Sequence, residues 1–234
     1  MLFYSKVIVV LATMQWNLIF SLKSMISRSQ HVLRLYGNSV FLNKDTFVPD
    51  QIMNIPFTGK GCVLLSQPKE YDHWLSKAAI LIFEHNEQGS KGLIIDKPSP
   101  MTMGSSSPGI GAFESNTLFM GGKSGSDTAV MIHALNLGFK SRPLGYGMYI
   151  GGLKAATDMV ERFEAHPRDF KFIFNNVEWK AGMLEEDIGK ERFDVCCLPP
   201  SMLLLQEPKD YGTLWTMARN VLRSEGRLCD MGNG

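Results

Sequence analysis

The chain has 234 residues, of which 44% are hydrophobic and 20% are charged, and its formal net charge is +1. This composition is ordinary for a globular protein, and the length allows one full-sized domain with an extension. A net charge this close to zero gives no general attraction toward nucleic acids or membrane surfaces. Charge therefore gives no support to a DNA- or RNA-binding function.

Residues 1–44 differ in composition from the rest of the chain. They contain five Lys or Arg residues and no Asp or Glu, and residues 7–22 form a mostly apolar run. The run is short for a membrane span, which needs about 20 residues, but it fits the apolar core of a signal peptide. The Ser-rich basic stretch after it fits a transit peptide. We interpret residues 1–44 as a targeting presequence, with a simple anchor or a wrongly assigned start as alternatives.

Three further regions follow from composition. Pro and Gly cluster in residues 45–60, which we interpret as a linker. The folded domain is expected over residues 61–223, without a membrane span, and residues 224–234 form a C-terminal tail.

Short apolar segments separated by turn residues dominate the first half of this domain. The segments at 78–84 and 92–96 predict a β-hairpin around Asn86. Residues 98–111 contain Pro, Gly and three consecutive Ser and predict a long surface loop. Further strands are predicted at residues 62–66, 117–120, 128–133 and 147–150.

Helices enter in the second half of the domain. Apolar residues at spacings of three and four predict a helix over 153–163 and a final helix around 214–221, with Asp210 as its N-cap. Strands are predicted at 170–174 and 193–198. The resulting fold class is α+β, a single compact domain with a mostly antiparallel β-sheet core flanked by helices.

The segment 179–188 predicts an acidic helix that opens on Trp179, with Asn175 and Glu178 as a capping pair. Gly182 would lie in its first turn. Because Gly costs about 1 kcal/mol inside a helix, we expect another group to pack closely there. An exposed Trp beside Glu185 would suit a protein contact, since Trp is enriched at binding hot spots.

Two other segments could carry chemistry. Glu84, His85 and Asn86 end a strand, and with His133 they could serve a ligand or an acid–base reaction. The alternative is that they satisfy backbone groups at the hairpin. Gly121-Gly122-Lys123-Ser124 resembles the end of a phosphate-binding loop, but Thr117 replaces the first glycine and a strand follows, so a glycine turn is preferred.

The four cysteines form no C-x-x-C pair and have no His at metal spacing. Cys196 and Cys197 are adjacent on a predicted strand and therefore point to opposite faces. We expect buried thiols rather than a disulfide scaffold, and the sequence predicts no metal and no cofactor.

Three elements in order resemble the YqgE/AlgH family over most of residues 61–205. They are the hairpin from Phe83-Glu84-His85-Asn86 to Lys97-Pro98, the segment Phe119-Met120-Gly121-Gly122, and Trp179-x-x-Gly182-x-Leu184-Glu185. Asp96 stands where the family usually has Asn, and Met183 where it usually has Gln. The resemblance implies a compact α+β fold and no established catalytic activity.

Members of this family carry the label of transcriptional regulators, and those of photosynthetic eukaryotes carry presequences. The resemblance therefore implies a plastid location, with a mitochondrion or the secretory pathway as alternatives. We expect a non-catalytic regulatory domain that binds a protein partner. The alternative is a small-ligand-binding or hydrolase-like protein that uses the strand-end Glu/His cluster and the glycine loop. The candidate site residues are Glu84, His85, Asn86, Gly121, Gly122, Trp179, Gly182 and Glu185.

Overall fold

The computed structural model describes residues 47–206 and 211–224, and these contain eleven β-strands and five α-helices. The strands are β1 (Met53–Asn54), β2 (Val63–Ser66), β3 (Ala79–Asn86), β4 (Gly89–Ile94), β5 (Pro98–Thr102), β6 (Thr117–Met120), β7 (Ser124–His133), β8 (Arg142–Gly145), β9 (Met148–Ile150), β10 (Phe170–Lys180) and β11 (Phe193–Cys197). The helices are α1 (Met103–Ser106), α2 (Leu153–Glu161), α3 (Met183–Gly189), α4 (Pro200–Leu203) and α5 (Thr213–Ser224). None of the helices in these ranges is long and apolar enough to cross a membrane.

One continuous sheet organises the domain. Its strand order is β1-β11-β2-β3-β4-β10-β7-β9-β8, and β6 pairs with β10 and β5. Every described strand pair is antiparallel except β6 with β10. The expected α+β class with a mostly antiparallel sheet is confirmed.

Apolar clusters cover both faces of the sheet. Alternate residues of β2 and β3 enter one cluster with α4 and α5, or a second cluster with Leu184 of α3. A third cluster combines Phe170 and Phe172 of β10 with Ala156 of α2. Because both faces of β3 are covered, its residues 79–83 form a continuous apolar run rather than an alternating pattern.

Strand β10 joins the two halves of the sheet through a bulge. Its first half pairs with β6 and β7 and its second half with β4, and the register shifts between Phe174 and Asn176. Asn175 has a positive φ of 62°. An extra residue at this point lets both halves of the strand face the core, since a bulge changes the alternation of side chains.

Gly121 and Gly122 lie against the backbone of this bulge. A Cβ on Gly121 would lie 2.3 Å from the carbonyl oxygen of Asn175, and one on Gly122 would lie 2.1 Å from that of Asn176. No side chain fits at either position, so the glycines allow the connection from β6 to β7 to pass close to the backbone of β10.

The structure corrects several predicted elements. Trp179 belongs to β10, and the helix begins only at Met183, so the helix predicted over 179–188 is confirmed for residues 183–188, whereas its start at Trp179 and the capping pair of Asn175 and Glu178 are wrong. Pairing with β4 extends β10 through Lys180. The predicted loop 98–111 contains β5 and α1.

The described part of the predicted linker contributes to the fold. Met53 and Asn54 form the edge strand β1, which pairs with β11, and Ile52 and Met53 are buried. Residues 1–46, the predicted cap Asp210 and residues 225–234 lie outside the described ranges. The buried state expected for Cys196 and Cys197 is confirmed.

Two buried charged residues attach the C-terminal segment to the sheet. Lys171 donates to the carbonyl oxygens of Leu203 (3.1 Å) and Leu205 (2.8 Å), and its Nζ lies 4.0 Å from the ring centre of Phe119. Asp96 accepts from the backbone N–H of Trp215 at 3.4 Å, in the first turn of α5. The helix ends leave these backbone groups without an intrahelical hydrogen-bond partner, and the two side chains supply the missing hydrogen bonds.

Burial disfavours both charges. It raises the pKa of Asp96 to about 6 and lowers the pKa of Lys171 to about 7, although each charge partly offsets the shift of the other. The contribution of Asp96 to stability therefore falls as pH rises through about 6, whereas that of Lys171 falls as pH drops toward about 7.

The close contact between Gly121 and the backbone of β10 predicts that one added methyl group destabilises the fold. Gly121→Ala should lower the free energy of unfolding by about 1–3 kcal/mol, because the Cβ overlaps backbone that cannot move without breaking β10 pairing. Urea denaturation measures this value. Gly189→Ala is the matched control, since no atom lies within 4 Å of a Cβ there. Equal stability of the two variants would contradict the proposed overlap.

Asp96 predicts a pH dependence of stability. Its folded pKa of about 6 lies above the ordinary value of 3.8, so the folded state binds the proton more tightly than the unfolded state. The stabilisation is complete below about pH 3.8 and is lost as pH rises through about 6. Asp96→Asn should remove this fall in the free energy of unfolding.

Urea denaturation at a series of pH values within that range measures the slope. Asp127→Asn is the control, because Asp127 is exposed and Asn also tolerates its positive φ of 51°. If the free energy of unfolding changes with pH equally in the Asp96→Asn variant and in the control, the buried carboxyl of Asp96 is not the source of the pH dependence.

Candidate interaction site

The end of the β3–β4 hairpin carries three of the predicted site residues. Glu84 forms an ion pair with Lys91 at 3.5 Å, and Asn86 donates to Glu84 at 3.3 Å. Asn86 also accepts from the backbone N–H of Gln88 at 2.9 Å. These contacts hold the turn, as the structural alternative for Asn86 predicted.

His85 is oriented by a hydroxyl on one side and faces a carboxylate on the other. Its Nδ1 lies 2.9 Å from Oγ of Ser90, and its Nε2 lies 3.5 Å from Oε1 of Glu185. Phe57 packs edge-on against the ring with centroids 5.0 Å apart. The Ser90 side chain is buried between strands, and its hydroxyl positions the imidazole.

The structure does not bring His133 to this site. Ser90, the partner of His85, pairs with Trp179 of β10, whereas His133 pairs with Phe170. Nine residues along β10, from 170 to 179, separate the two positions, which is roughly 30 Å at about 3.3 Å per residue. His133 is buried, and its Nε2 lies 3.0 Å from the Gly151 carbonyl oxygen.

Trp179 is a core residue rather than an exposed helix residue. It is 7% exposed, packs edge-on against Phe193, and donates from Nε1 to Asp187 at 3.2 Å. Gly92 provides the space for its ring, since a Cβ there would lie 3.2 Å from the indole. The expectation of an exposed Trp at this position is therefore wrong, and a partner contact of Trp179 stays a prediction.

Gly182 begins α3 with a φ of 76°, and no atom lies within 4 Å of a Cβ built there. The close packing expected at Gly182 is therefore wrong, and this glycine serves the backbone turn between β10 and α3. Glu185 lies in the first turn of α3 and is half-exposed. That the surface around His85 and Glu185 contacts a ligand or partner stays a prediction.

A different cleft concentrates aromatic side chains. Its volume is about 610 Å³, within the range of small-ligand and peptide-side-chain pockets. It lies where the β2–β3 connection, the start of β5, the end of β6 and Tyr211, two residues before α5, converge. We call it the aromatic cleft, and its lining residues are Glu70, Tyr71, His73, Trp74, Ser76, Lys97, Pro98, Met120 and Tyr211.

A compact turn presents the aromatic residues of the β2–β3 connection. The Asp72 carboxylate accepts from the backbone N–H of Trp74 at 2.8 Å, and the Asp72 carbonyl accepts from Leu75 and Ser76. Asp side chains commonly form such local turns. Leu75 is buried, whereas Tyr71 is 91% exposed.

Lys97 crosses the cleft and ties its walls together. Its ammonium donates to the carbonyl oxygens of His73 (3.2 Å) and Trp74 (2.7 Å). It also lies 5.0 Å from the Trp74 ring centre and 4.6 Å from that of Tyr211. Burial lowers the pKa of Lys97, and the carboxylates of Asp96 and Asp72 oppose this change.

The acidic groups near the cleft rim are paired. Glu70 accepts from Arg192 at 2.9 Å, and Arg192 also binds Asp187, the partner of Trp179. Asp72 lies 3.9 Å from Lys123, which follows the predicted Gly121-Gly122 segment. The Gly121-Gly122 segment therefore lies at the border of the cleft. Met120 before it lines the cleft, and Lys123 after it pairs with Asp72 of the β2–β3 connection.

Sequence reasoning missed this site, although signals for it exist. Tyr71 and Trp74 stand in a polar connection between two apolar strands, and exposed aromatic residues in such segments indicate contacts. Lys97 was recognised only as part of a motif. The convergence of the lining segments depends on strand order, which the local pattern does not define.

Metal ligation finds no support within residues 47–206 and 211–224. No three His, Cys, Asp or Glu side chains in these ranges come together in a geometry that could hold a metal ion.

Comparison with known proteins identifies relatives of this fold. A UPF0301 protein of Bacteroides fragilis is 27% identical over 79% of this chain and 92% of its own length. One of Bacteroides thetaiotaomicron is 24% identical over the same shares. The crystal structure of protein DIP2367 from Corynebacterium diphtheriae superposes with a TM-score of 0.59 at 19% identity, covering 74% of this chain and 90% of that one.

The solution structure of the AlgH protein from Pseudomonas aeruginosa has the same fold. It superposes with a TM-score of 0.54 at 19% identity and covers 78% of this chain and all of that one. The family model described as AlgH-like (DUF179) matches residues 63–225, from β2 to the end of α5. Because this match spans most of the 234 residues, the chain belongs to the AlgH-like family.

Proposed function

We propose that this chain is a non-catalytic, regulatory protein-interaction domain whose partner binds at the aromatic cleft. The observation that carries the proposal is the aromatic surface around Lys97, formed by the exposed Tyr71 and Tyr211 and the half-buried Trp74. Aromatic residues and Met are enriched in protein interfaces, and Tyr and Trp dominate binding hot spots. A regulatory role also agrees with the label that family members carry.

The architecture of the cleft favours binding over chemistry. Its walls are held by Lys97, by the Asp72 turn and by the Glu70–Arg192 pair. A rigid aromatic surface loses little side-chain entropy when a partner binds, because each ring is already fixed. Tyr71 is the exception, since its exposed ring makes no described contact that the fold requires.

Tyr71 therefore provides the cleanest test. The full-length chain would be used to capture partners from native extract, and the captured proteins would be quantified by mass spectrometry. Tyr71→Ser should weaken binding of a stoichiometric partner roughly 30-fold, which corresponds to about 2 kcal/mol for a hot-spot side chain. The purified partner would then give dissociation constants for each variant.

Phe139→Ser is the matched control, because Phe139 is also a fully exposed aromatic residue but does not line the cleft. Its variant should retain the partner. The proposal fails if both variants lose the partner equally, if Tyr71→Ser retains it, or if no partner is captured reproducibly. Thermal unfolding of both variants checks that the fold is unchanged.

A further inference from the structure

We infer that the aromatic cleft recognises one carboxylate side chain, an Asp or Glu flanked by apolar residues in a protein partner, and that the ammonium of Lys97 binds it. This inference rests on the proposed function and specifies the chemistry of the partner segment. It follows from the donors of Lys97, the charges around it and the shape of the walls.

Lys97 retains a free donor. An ammonium has three N–H groups, and two carbonyl oxygens accept from it, those of His73 and Trp74. Among the described residues no third acceptor for Lys97 is within hydrogen-bond distance. Because Lys97 lines the cleft, an acceptor brought by a partner completes its coordination.

The carboxylates near Lys97 have other partners, so its ammonium can bind the carboxylate of a ligand. Glu70 is the other charged residue of the lining, and its side chain is 10% exposed and bound to Arg192. Asp72 pairs with Lys123 beside the cleft. Asp96 lies buried beneath it and accepts backbone N–H groups.

The form of the cleft selects a single acid in an apolar context. The ammonium lies over the ring faces of Trp74 and Tyr211, and Pro98 and Met120 add apolar surface. A run of acids would place further carboxylates near Glu70 and Asp72, where like charges repel. A carboxylate between apolar side chains matches both the cation and the walls.

Phage display on the full-length chain tests this inference. A library of random peptides would be selected on the wild type, and enriched peptides would be retained if Tyr71→Ser abolishes their binding. We expect their consensus to contain one Asp or Glu between apolar residues. A synthetic peptide with this consensus and its Asp→Asn counterpart would then be compared by fluorescence polarisation.

A double-mutant cycle assigns the contact to Lys97. The Asp→Asn change in the peptide should weaken binding to the wild type about tenfold, as expected for a charge-assisted hydrogen bond. On Lys97→Met the same change should have less than about a twofold effect, since the cationic donor is missing. Lys140→Met is the control, because Lys140 is exposed and lies outside the cleft, and it should behave as the wild type.

A measurement on the wild-type chain avoids any disturbance that Lys97→Met causes in the walls of the cleft. Binding to an ammonium lowers the pKa of the peptide carboxyl, so affinity for the Asp peptide should fall as pH drops through about 4. Affinity for the Asn peptide should not show this additional fall. Equal pH profiles of the two peptides would overturn the carboxylate contact.

The outcomes separate the two proposals. Cleft-dependent peptides without an acidic consensus overturn the carboxylate inference and leave the proposed function intact. An Asp→Asn effect that is equal on the wild type and on a folded Lys97→Met variant does the same. If no enriched peptide depends on Tyr71, both proposals fail.

Discussion

The bulge in β10 is the constraint on which the rest of the domain depends. This strand is hydrogen-bonded to both halves of the sheet, and an extra residue at Asn175 lets its side chains face the core in each half. The bulge in turn requires a close approach by Gly121 and Gly122. From that approach follows the path of β6 into β7, which places Met120 and Lys123 at the aromatic cleft. A fold constraint and a candidate site thus share the same few residues.

Charged side chains bind backbone groups within this apolar domain and so hold its segments together. Lys171 and Asp96 bind backbone groups of the C-terminal segment, and Lys97 does the same for the β2–β3 connection. Buried charges of this kind add specificity only when their hydrogen bonds are satisfied. Lys171 and Lys97 differ in one respect, because Lys171 is fully buried and Lys97 reaches a cleft. That difference leads us to assign a binding role to Lys97 alone.

Much of the fold was predictable from sequence, because local pattern and tertiary environment agree there. The run at 79–83 and the helical spacing after Leu153 each form the expected element. The prediction failed at Trp179, where pairing with β4 decides the structure and the acidic residues that follow imitate a longer helix. The site was less predictable. Trp179 was selected for its residue type but is buried, whereas Trp74 is half-buried and lines the aromatic cleft. No local pattern shows that Lys97, Met120 and Tyr211 meet.

Hydrogen–deuterium exchange of the full chain, with and without its captured partner, tests the central claim most directly. Slower exchange confined to residues 70–76 and Lys97 is the result that binding at the aromatic cleft predicts. Slower exchange at residues 84–91 and 178–185, with no change at 70–76, would contradict it. That outcome would assign the contact to the hairpin end with His85 and Glu185 instead.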